Sequence, residues 1–319
     1  QNDEIDNNKT FSVLSNPEFL SEGNAINDLE NPERVLIGGE DKESIELLAD
    51  LYLNWVPKEK ILRTNIWSSE LSKLIANAFL AQRISSINSI SALCESTGAE
   101  ISEVASAIGT DKRIGNKFLK SGPGFGGSCF KKDILNLIYI CNHYGLSEVS
   151  EYWQKVIDIN NWQTRRISDL VVEKLFNTIS RKKICILGFS FKENTNDTRE
   201  SPAIKICREL LKEGCKLSIY DPKVNCDQIE SDLGLPKSNF LSENDDSEWI
   251  FSDSIINAAK NSDAILVLTE WEEFKHINWQ ILSTSMRKPS WVFDTRIIIN
   301  KKEVQSSGIN IWQLGSGSE

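Results

Sequence analysis

Apolar positions divide the chain into three stretches of different rhythm. Up to residue 66, short apolar runs alternate with polar turns. Residues 11–14 and 34–37 read as strands, 44–53 as a helix and 61–64 as a further extended segment. These are the closing elements of an α/β sheet, a partial α/β remnant, because no Gly-x-Gly-x-x-Gly turn opens it and nothing before Phe11 supplies first strands. From Ser68 the apolar period becomes helical, through Leu71, Leu74, Ile75, Phe79, Ile84, Ile87, Ile90 and Leu93. With Ser68 as N-cap and Gly98 past the end, the pattern predicts one spine helix of about 28 residues. Helices over 100–108, 129–143 and 148–178 make 67–180 an all-α central domain. After Arg181 strand and helix alternate: 183–188, 201–213, 217–220, 254–260, 264–268 and 291–294 predict a Rossmann-like doubly wound parallel sheet over 181–319. The first nine residues read as a disordered tail, 227–250 as an acidic surface loop and 315–319 as linker-like.

Composition narrows the function classes. The 319 residues carry 46 acidic against 36 basic side chains, a formal charge of -10, which argues against nucleic acid as a partner. No apolar run reaches the roughly 18 residues of a membrane span and the first residues are acidic and polar, so a cytoplasmic protein is expected. Seven cysteines without a Cys-x-x-Cys pair suggest neither a disulfide framework nor a zinc site, and no metal is expected. Six of the seven sit among apolar neighbours and read as core thiols. With two histidines in the chain, a Ser-His or Cys-His dyad has little support.

The seventh, Cys129, stands in Gly122-Pro-Gly-Phe-Gly-Gly-Ser-Cys-Phe-Lys-Lys-Asp133. A helix starting near Ser128 places Cys129 and Asp133 on one face, with the sulfur in the first turn, where the positive end of the helix dipole favours an anionic group. The four glycines ahead of it let backbone amides approach a phosphate or sugar. Lys73 and Asn77 are four residues apart on the spine helix among apolar neighbours, a buried polar pair with a task. In the first turn of the second α/β region, Gly188-Phe-Ser-Phe-Lys192, one fingerprint position is glycine. That makes a poor dinucleotide cradle and favours a mononucleotide or nucleotide sugar.

In order along the chain, the segments Asn16-Pro-Glu-Phe-Leu-Ser-Glu-Gly23, Trp67-Ser-Ser-Glu-Leu-Ser-Lys-Leu-Ile-Ala-Asn77, Arg113-Ile-Gly-Asn-Lys-Phe-Leu-Lys120, Gly124-Phe-Gly-Gly-Ser-Cys-Phe-Lys-Lys-Asp133, Gly188-Phe-Ser-Phe-Lys192, Asp197-Thr-Arg-Glu-Ser201, Tyr220-Asp-Pro222 and Phe293-Asp-Thr-Arg296 resemble the UDP-glucose 6-dehydrogenases of the nucleotide-sugar dehydrogenase family. The resemblance implies two successive NAD-dependent oxidations of UDP-glucose to UDP-glucuronate through a cysteine thiohemiacetal and thioester. It makes Cys129 the nucleophile, gives Asp133, Lys73 and Asn77 proton transfer and oxyanion stabilisation, and lets Glu18 position the hydrolytic water. The UDP-sugar would lie against Phe19 and Leu20, against Phe118, Leu119, Lys120, Phe125, Gly126 and Phe130, and against Phe191, Lys192 and Arg296. Arg113 would reach a partner subunit's substrate, and Glu22, Lys132 and Arg199 would approach NAD.

The same resemblance implies a homodimer or larger homo-oligomer built on the central domain. It divides the chain into 1–66, the end of an NAD-binding domain, 67–180, dimerisation and catalysis, and 181–319, UDP-sugar binding. Because family members begin with a complete NAD-binding domain, the expectation is a truncated chain that lacks most of it and does not turn over alone. Two alternatives remain open: a dehydrogenase for GDP-mannose or UDP-N-acetylmannosamine, and a non-catalytic nucleotide-sugar-binding or oligomerisation module.

Overall fold

A computed structural model describes residues 11–241 and 248–317. The chain divides into two compact units, Gln1–Asn77 and Ala78–Glu319. The first contains α1 (Ala25–Glu30), β1 (Val35–Gly38), α2 (Lys42–Tyr52), β2 (Ile61–Thr64) and the start of α3 (Ile66–Thr97). β1 and β2 pair in parallel, Val35 opposite Ile61, and α2 connects them, a βαβ unit. The Asp41 carboxylate caps α2 by accepting the Ser44 amide at 2.9 Å, and Ile45 and Ala49 pack with Val35, Ile37 and Ile61.

Residues 11–14 are not a strand. Ser15 makes one antiparallel bridge to Gly38, while Phe11 and Val13 are 81% and 77% exposed. Of residues 11–14, Leu14 alone packs on the core of this unit, and one anchored side chain does not hold extended pairing. Helix α3 begins two residues before the expected cap, because the Asn65 side chain accepts the Ser68 amide at 2.7 Å. It ends as expected, with Gly98 at φ +77°.

The second unit continues with α4 (Ile101–Gly109), α5 (Phe130–His143) and α6 (Ser147–Lys174). Ala78, Ala81, Ile134, Leu137, Trp153 and Ile157 form the core of this helical part. There follow β3 (Lys183–Leu187), α7 (Pro202–Lys212), β4 (Lys216–Tyr220), α8 (Cys226–Leu233), β5 (Trp249–Phe251), α9 (Ile255–Ala259), β6 (Ala264–Val267), α10 (Trp279–Ser285), β7 (Trp291–Asp294), α11 (Lys301–Ser306) and β8 (Asn310–Gln313). The six strands are parallel in the order β5-β4-β3-β6-β7-β8. This is a doubly wound sheet whose strand order reverses between β3 and β6, where such folds seat ligands. Ile184 and Ile186 join one apolar cluster while Cys185 and Leu187 join the other, so β3 is covered on both faces and reads as an unbroken apolar run.

The expected acidic loop over 227–250 is corrected by α8 and β5. Residues Ile229 and Leu233, four apart, are the buried stripe of α8, with Asn225 capping its start and Gly234 in the left-handed region at its end. Two apolar anchors in a polar segment are too few to show as a period. Residues 242–247 of that stretch and the expected N-terminal tail lie outside the described residues. The linker-like end is pinned over 315–317. Glu95 accepts the Gly315 amide at 2.8 Å, Gly315 accepts the Ile101 amide at 2.9 Å, and the Gly317 amide donates to Ala99 at 2.9 Å.

Gly188 closes β3 at φ +91°, and a Cβ there would lie 2.5 Å from Thr269 Oγ1 and 2.7 Å from its amide nitrogen. Gly188→Ala is expected to destabilise the second unit by about 2–4 kcal/mol, read as a lower urea midpoint at unchanged slope.

Candidate active site

In the first unit, the segment after Ser15 is tied to β1. The Asn16 side-chain amide donates to the Leu36 carbonyl at 2.8 Å, and the Tyr52 hydroxyl donates to Asn16 Oδ1 at 2.7 Å. This anchoring brings Glu18 to Lys73, with Oε1 and Nζ 2.9 Å apart, while Glu18 Oε2 accepts the Leu20 amide at 2.7 Å. Partial burial pushes the Glu18 carboxyl up, but the Leu20 amide and the hydrogen bond and charge of Lys73 outweigh it and hold the carboxyl below its usual range. Phe19 lies beneath two cations, Arg34 at 3.9 Å and Lys73 at 5.5 Å from its ring centre. Asn77 stands one turn beyond Lys73, in the same unit. Glu18, Phe19 and Lys73 are thus brought together. Leu20 and Glu22 follow in the same exposed segment.

In the second unit the glycine loop is held from behind by one face of α6. Asn160 makes two bonds with Phe125, accepting its amide at 2.8 Å and donating to its carbonyl at 3.1 Å. Gln163 donates to the Gly122 carbonyl at 2.9 Å, Thr164 to that of Pro123 at 3.0 Å, and Asn88 of α3 accepts the Gly122 amide at 2.9 Å. All four polar side chains are buried, so this loop is rigid on the side away from solvent. Gly126 is pressed against the other side. A Cβ there would lie 2.7 Å from the Glu200 carbonyl oxygen and 2.8 Å from Phe191 Cβ.

Cys129 follows as the N-cap of α5, its carbonyl accepting the Asp133 amide at 2.9 Å. It is the one exposed cysteine of the seven, with the Ser128 hydroxyl 3.6 Å from its sulfur. Burial pushes the Cys185 thiol up to about 12 and raises Cys207 and Cys215 too. Asp133, one turn along, is buried. Phe118, Phe125 and Phe130 form an aromatic run, Phe130 lying 6.5 Å from Phe118 and 5.9 Å edge-on to Phe125. Phe118 takes φ +61°, Leu119 is buried and Lys120 exposed. Of the expected cofactor residues, Lys132 is exposed on α5. Arg199, with an exposed side chain, is held by Asp197, Nη2 to Oδ2 at 2.7 Å. Arg113 is exposed and paired with Asp111 at 2.6 Å.

At the switch point of the sheet, the Gly188 turn is closed by the protein itself. Asp221, buried at the end of β4, accepts the amides of Phe189 at 2.7 Å and Ser190 at 3.1 Å, and the Trp271 indole N–H at 3.2 Å. A carboxylate of the protein itself thus takes up the two amides that follow Gly188. Lys192 lies 5.4 Å from the Phe191 ring centre. Arg296 reaches across from β7, donating from Nε to the Leu268 carbonyl at 2.7 Å and from Nη2 to the Phe191 carbonyl at 3.1 Å, with Nη1 2.9 Å from Glu270.

The bracing residues Asn160, Gln163 and Thr164, and Asp221 itself, do not emerge from motif spacing. A polar stripe at i, i+3, i+4 between the apolar residues Val156, Ile157 and Ile167 of the buried face of α6 is the signal that marks the first three. Among the described residues no group of three His, Cys, Asp or Glu side chains is placed to hold a metal ion, and no helix is long and apolar enough to cross a membrane.

Models of the UDP-glucose/GDP-mannose dehydrogenase family match the chain in order: the NAD binding domain over residues 1–56, the central domain over 67–162 and the UDP binding domain over 185–301. The chain is 53% identical over 317 residues to UDP-glucose 6-dehydrogenase of Caenorhabditis elegans, a match that covers 98% of this chain and 65% of that protein. It is also 53% identical over 309 residues to the Drosophila melanogaster enzyme, covering 96% of this chain and 65% of the relative. A UDP-glucose dehydrogenase structure from Pyrobaculum islandicum superposes with a TM-score of 0.82 at 29% identity, covering 97% of this chain and 64% of that one. The UDP-D-ManNAc dehydrogenase of Pyrococcus horikoshii superposes at 0.77 and 26% identity, covering 96% of this chain and 65% of that one. The chain thus spans about two thirds of the length of these relatives. The match over 1–56 corrects the expectation that the cofactor domain is missing. Those residues match NAD-binding-domain sequence, and β1 and α2 of the parallel unit lie within that match.

Proposed function

As the chain belongs to the UDP-glucose/GDP-mannose dehydrogenase family, we propose that it serves the two-step oxidation of UDP-glucose to UDP-glucuronate, with Cys129 carrying the acyl group of the second step. The observation that carries this reading is the exposed thiol of Cys129 at the start of α5, behind a glycine loop braced by α6, while the other six cysteines are buried or half-buried.

NAD, when bound, supplies the hydride acceptor of each oxidation. Glu22, Lys132 and Arg199 would face it. The exposed Arg199 guanidinium, fixed by Asp197, fits a phosphate-bearing group. In the first oxidation the sugar C6 hydroxyl would pass its proton to the Asp133 carboxylate, directly or through water, as its carbon loses hydride. Lys73 stabilises the negative charge that develops on the oxygen, and Asn77 supports it. The Cys129 sulfur then adds to the aldehyde carbon, giving a thiohemiacetal, and loss of a second hydride leaves a thioester. Water, positioned by Glu18, cleaves the C–S bond, releasing the acid and returning the thiol, with Asp133 managing the proton. The Lys73 hydrogen bond keeps Glu18 ionised and so able to accept a proton from that water.

The nucleotide sugar is held by Phe19 and Leu20, by the Phe118, Phe125 and Phe130 aromatic run with Leu119 and Gly126, and by Lys120, Phe191, Lys192 and Arg296. The cations take the diphosphate. A second copy of the chain covers the apolar residues that α3 leaves exposed, Ile75, Phe79, Ile90 and Leu93. Arg113 reaches that copy's substrate. Calorimetric titration with UDP-glucose, GDP-mannose and UDP-N-acetylmannosamine tests the substrate, with at least tenfold preference for UDP-glucose as the expected result. Tighter binding of either of the other two would assign the chain to that sugar instead.

A further inference from the structure

The most constrained turn of the second unit holds Arg296. Asp294, the last residue of β7, is fully buried, and its carboxylate is surrounded by donors. Oδ1 accepts the Arg296 amide at 3.0 Å. Oδ2 accepts the amides of Ile298 and Ile299 and the Gln313 side chain, each at 2.9 Å. Four N–H bonds offset the cost of burying a charge there. Between the bonded amides stands Ile297, a β-branched residue at φ +56°. That region costs an L-residue on the order of 1–2 kcal/mol, and a β-branched one adopts it only where its surroundings enforce it. Asp294 is what enforces it, by drawing the amides on both sides of Ile297 to one carboxylate. Thr295 pins the turn from the other side by donating to the Val267 carbonyl at 2.6 Å.

The consequence is the direction of Arg296. Its guanidinium bridges the carboxyl ends of β6 and β3 through Leu268, Glu270 and Phe191. Two of its five N–H groups donate to carbonyls there and Nη1 is ion-paired with Glu270, so both terminal nitrogens keep N–H groups that can meet two oxygens of a ligand. We propose that Asp294 is a positioning residue for nucleotide-sugar binding: by holding the left-handed turn at Ile297, it presets the Arg296 guanidinium for the diphosphate. This rests on the reading of Arg296 as a diphosphate ligand. Presetting removes the loss of side-chain freedom that a long cation otherwise suffers on binding.

Titration of UDP into the full chain tests it. Asp294→Asn replaces one acceptor by an amide that faces N–H donors, and is expected to weaken UDP binding about tenfold. In an Arg296→Ala background the same change is expected to alter affinity less than twofold, since the group it positions is gone. Gln313→Leu removes one donor and keeps the carboxylate. It is expected to weaken UDP severalfold with the same dependence on Arg296, and serves if Asp294→Asn fails to fold. Unchanged UDP affinity in both variants, or equal losses with and without Arg296, would overturn the positioning role. An Arg296→Ala chain that binds UDP as tightly as the unaltered one would instead overturn the diphosphate reading, and the proposal with it.

Discussion

Cys129→Ser is expected to stop the second oxidation, lowering formation of UDP-glucuronate by about 1,000-fold or more, equivalent to some 4 kcal/mol of barrier. A serine hydroxyl in place of the thiol is a far weaker nucleophile at neutral pH, and the bond it would form to carbon is an ester, which water cleaves less readily than a thioester. In the proposed mechanism the first hydride transfer uses Lys73 and Asn77 rather than the sulfur, so NADH is expected in a single burst with aldehyde retained. Rapid-mixing absorbance at 340 nm distinguishes that burst from full turnover. A second readout is independent of turnover. Cys129 is exposed while Cys94, Cys141, Cys185, Cys207 and Cys215 are buried and Cys226 is half-buried, so iodoacetamide is expected to label one thiol at least tenfold faster than the rest. UDP-glucose should slow that labelling. Normal glucuronate formation by Cys129→Ser would refute the nucleophile assignment.

Lys73→Ala is expected to lower the rate of the first hydride transfer by about 100- to 1,000-fold with a smaller change in UDP-glucose affinity, because the cation acts on charge that appears only as the hydroxyl proton leaves. The substitution also acts on Glu18. Burial, which raises its carboxyl, would be opposed only by the Leu20 amide once the Lys73 hydrogen bond and charge are removed. The Glu18 carboxyl then titrates at higher pH than in the unaltered chain. A carboxylate needed in its ionised form loses function as pH falls through its pKa, so the acid limb of the pH–rate profile for thioester hydrolysis should move to higher pH. Lys73→Arg should restore that limb in part and the hydride-transfer rate poorly, since a planar guanidinium does not reproduce a point charge. An acid limb unmoved in Lys73→Ala would show that Glu18 is not the group being titrated.

Local chemistry was well recorded in the chain. The period of Leu71 to Leu93 marked α3, and the apolar run Ile184-Cys185-Ile186-Leu187 marked a strand covered on both faces. The glycines before Cys129 marked a loop, and at Gly126 the close approach is to Phe191 and Glu200 of the protein itself. Where apolar anchors were sparse, the reading failed. Helix α8 rests on Ile229 and Leu233 inside an acidic segment, and α10, α11 and β8 are elements of seven, six and four residues, too short to show a period. Residues 11–14 failed in the opposite way: Phe11 and Val13 stay exposed, and only Leu14 packs on the core of the first unit.

The sequence by itself determined the long helix, the apolar strand over residues 184–187 and the alternation of a parallel doubly wound sheet, because these depend on side-chain period and residue type within short windows. Tertiary structure decided which groups hold the connecting turns in place. Asn160, Gln163 and Thr164 support the glycine loop from 35 or more residues away. Asp221 closes the Gly188 turn, and Asp294 fixes the turn that aims Arg296. No local pattern encodes those partnerships. A buried amide takes whichever acceptor the folded chain brings within 3 Å or so, and that acceptor's sequence distance has no bearing on the strength of the bond.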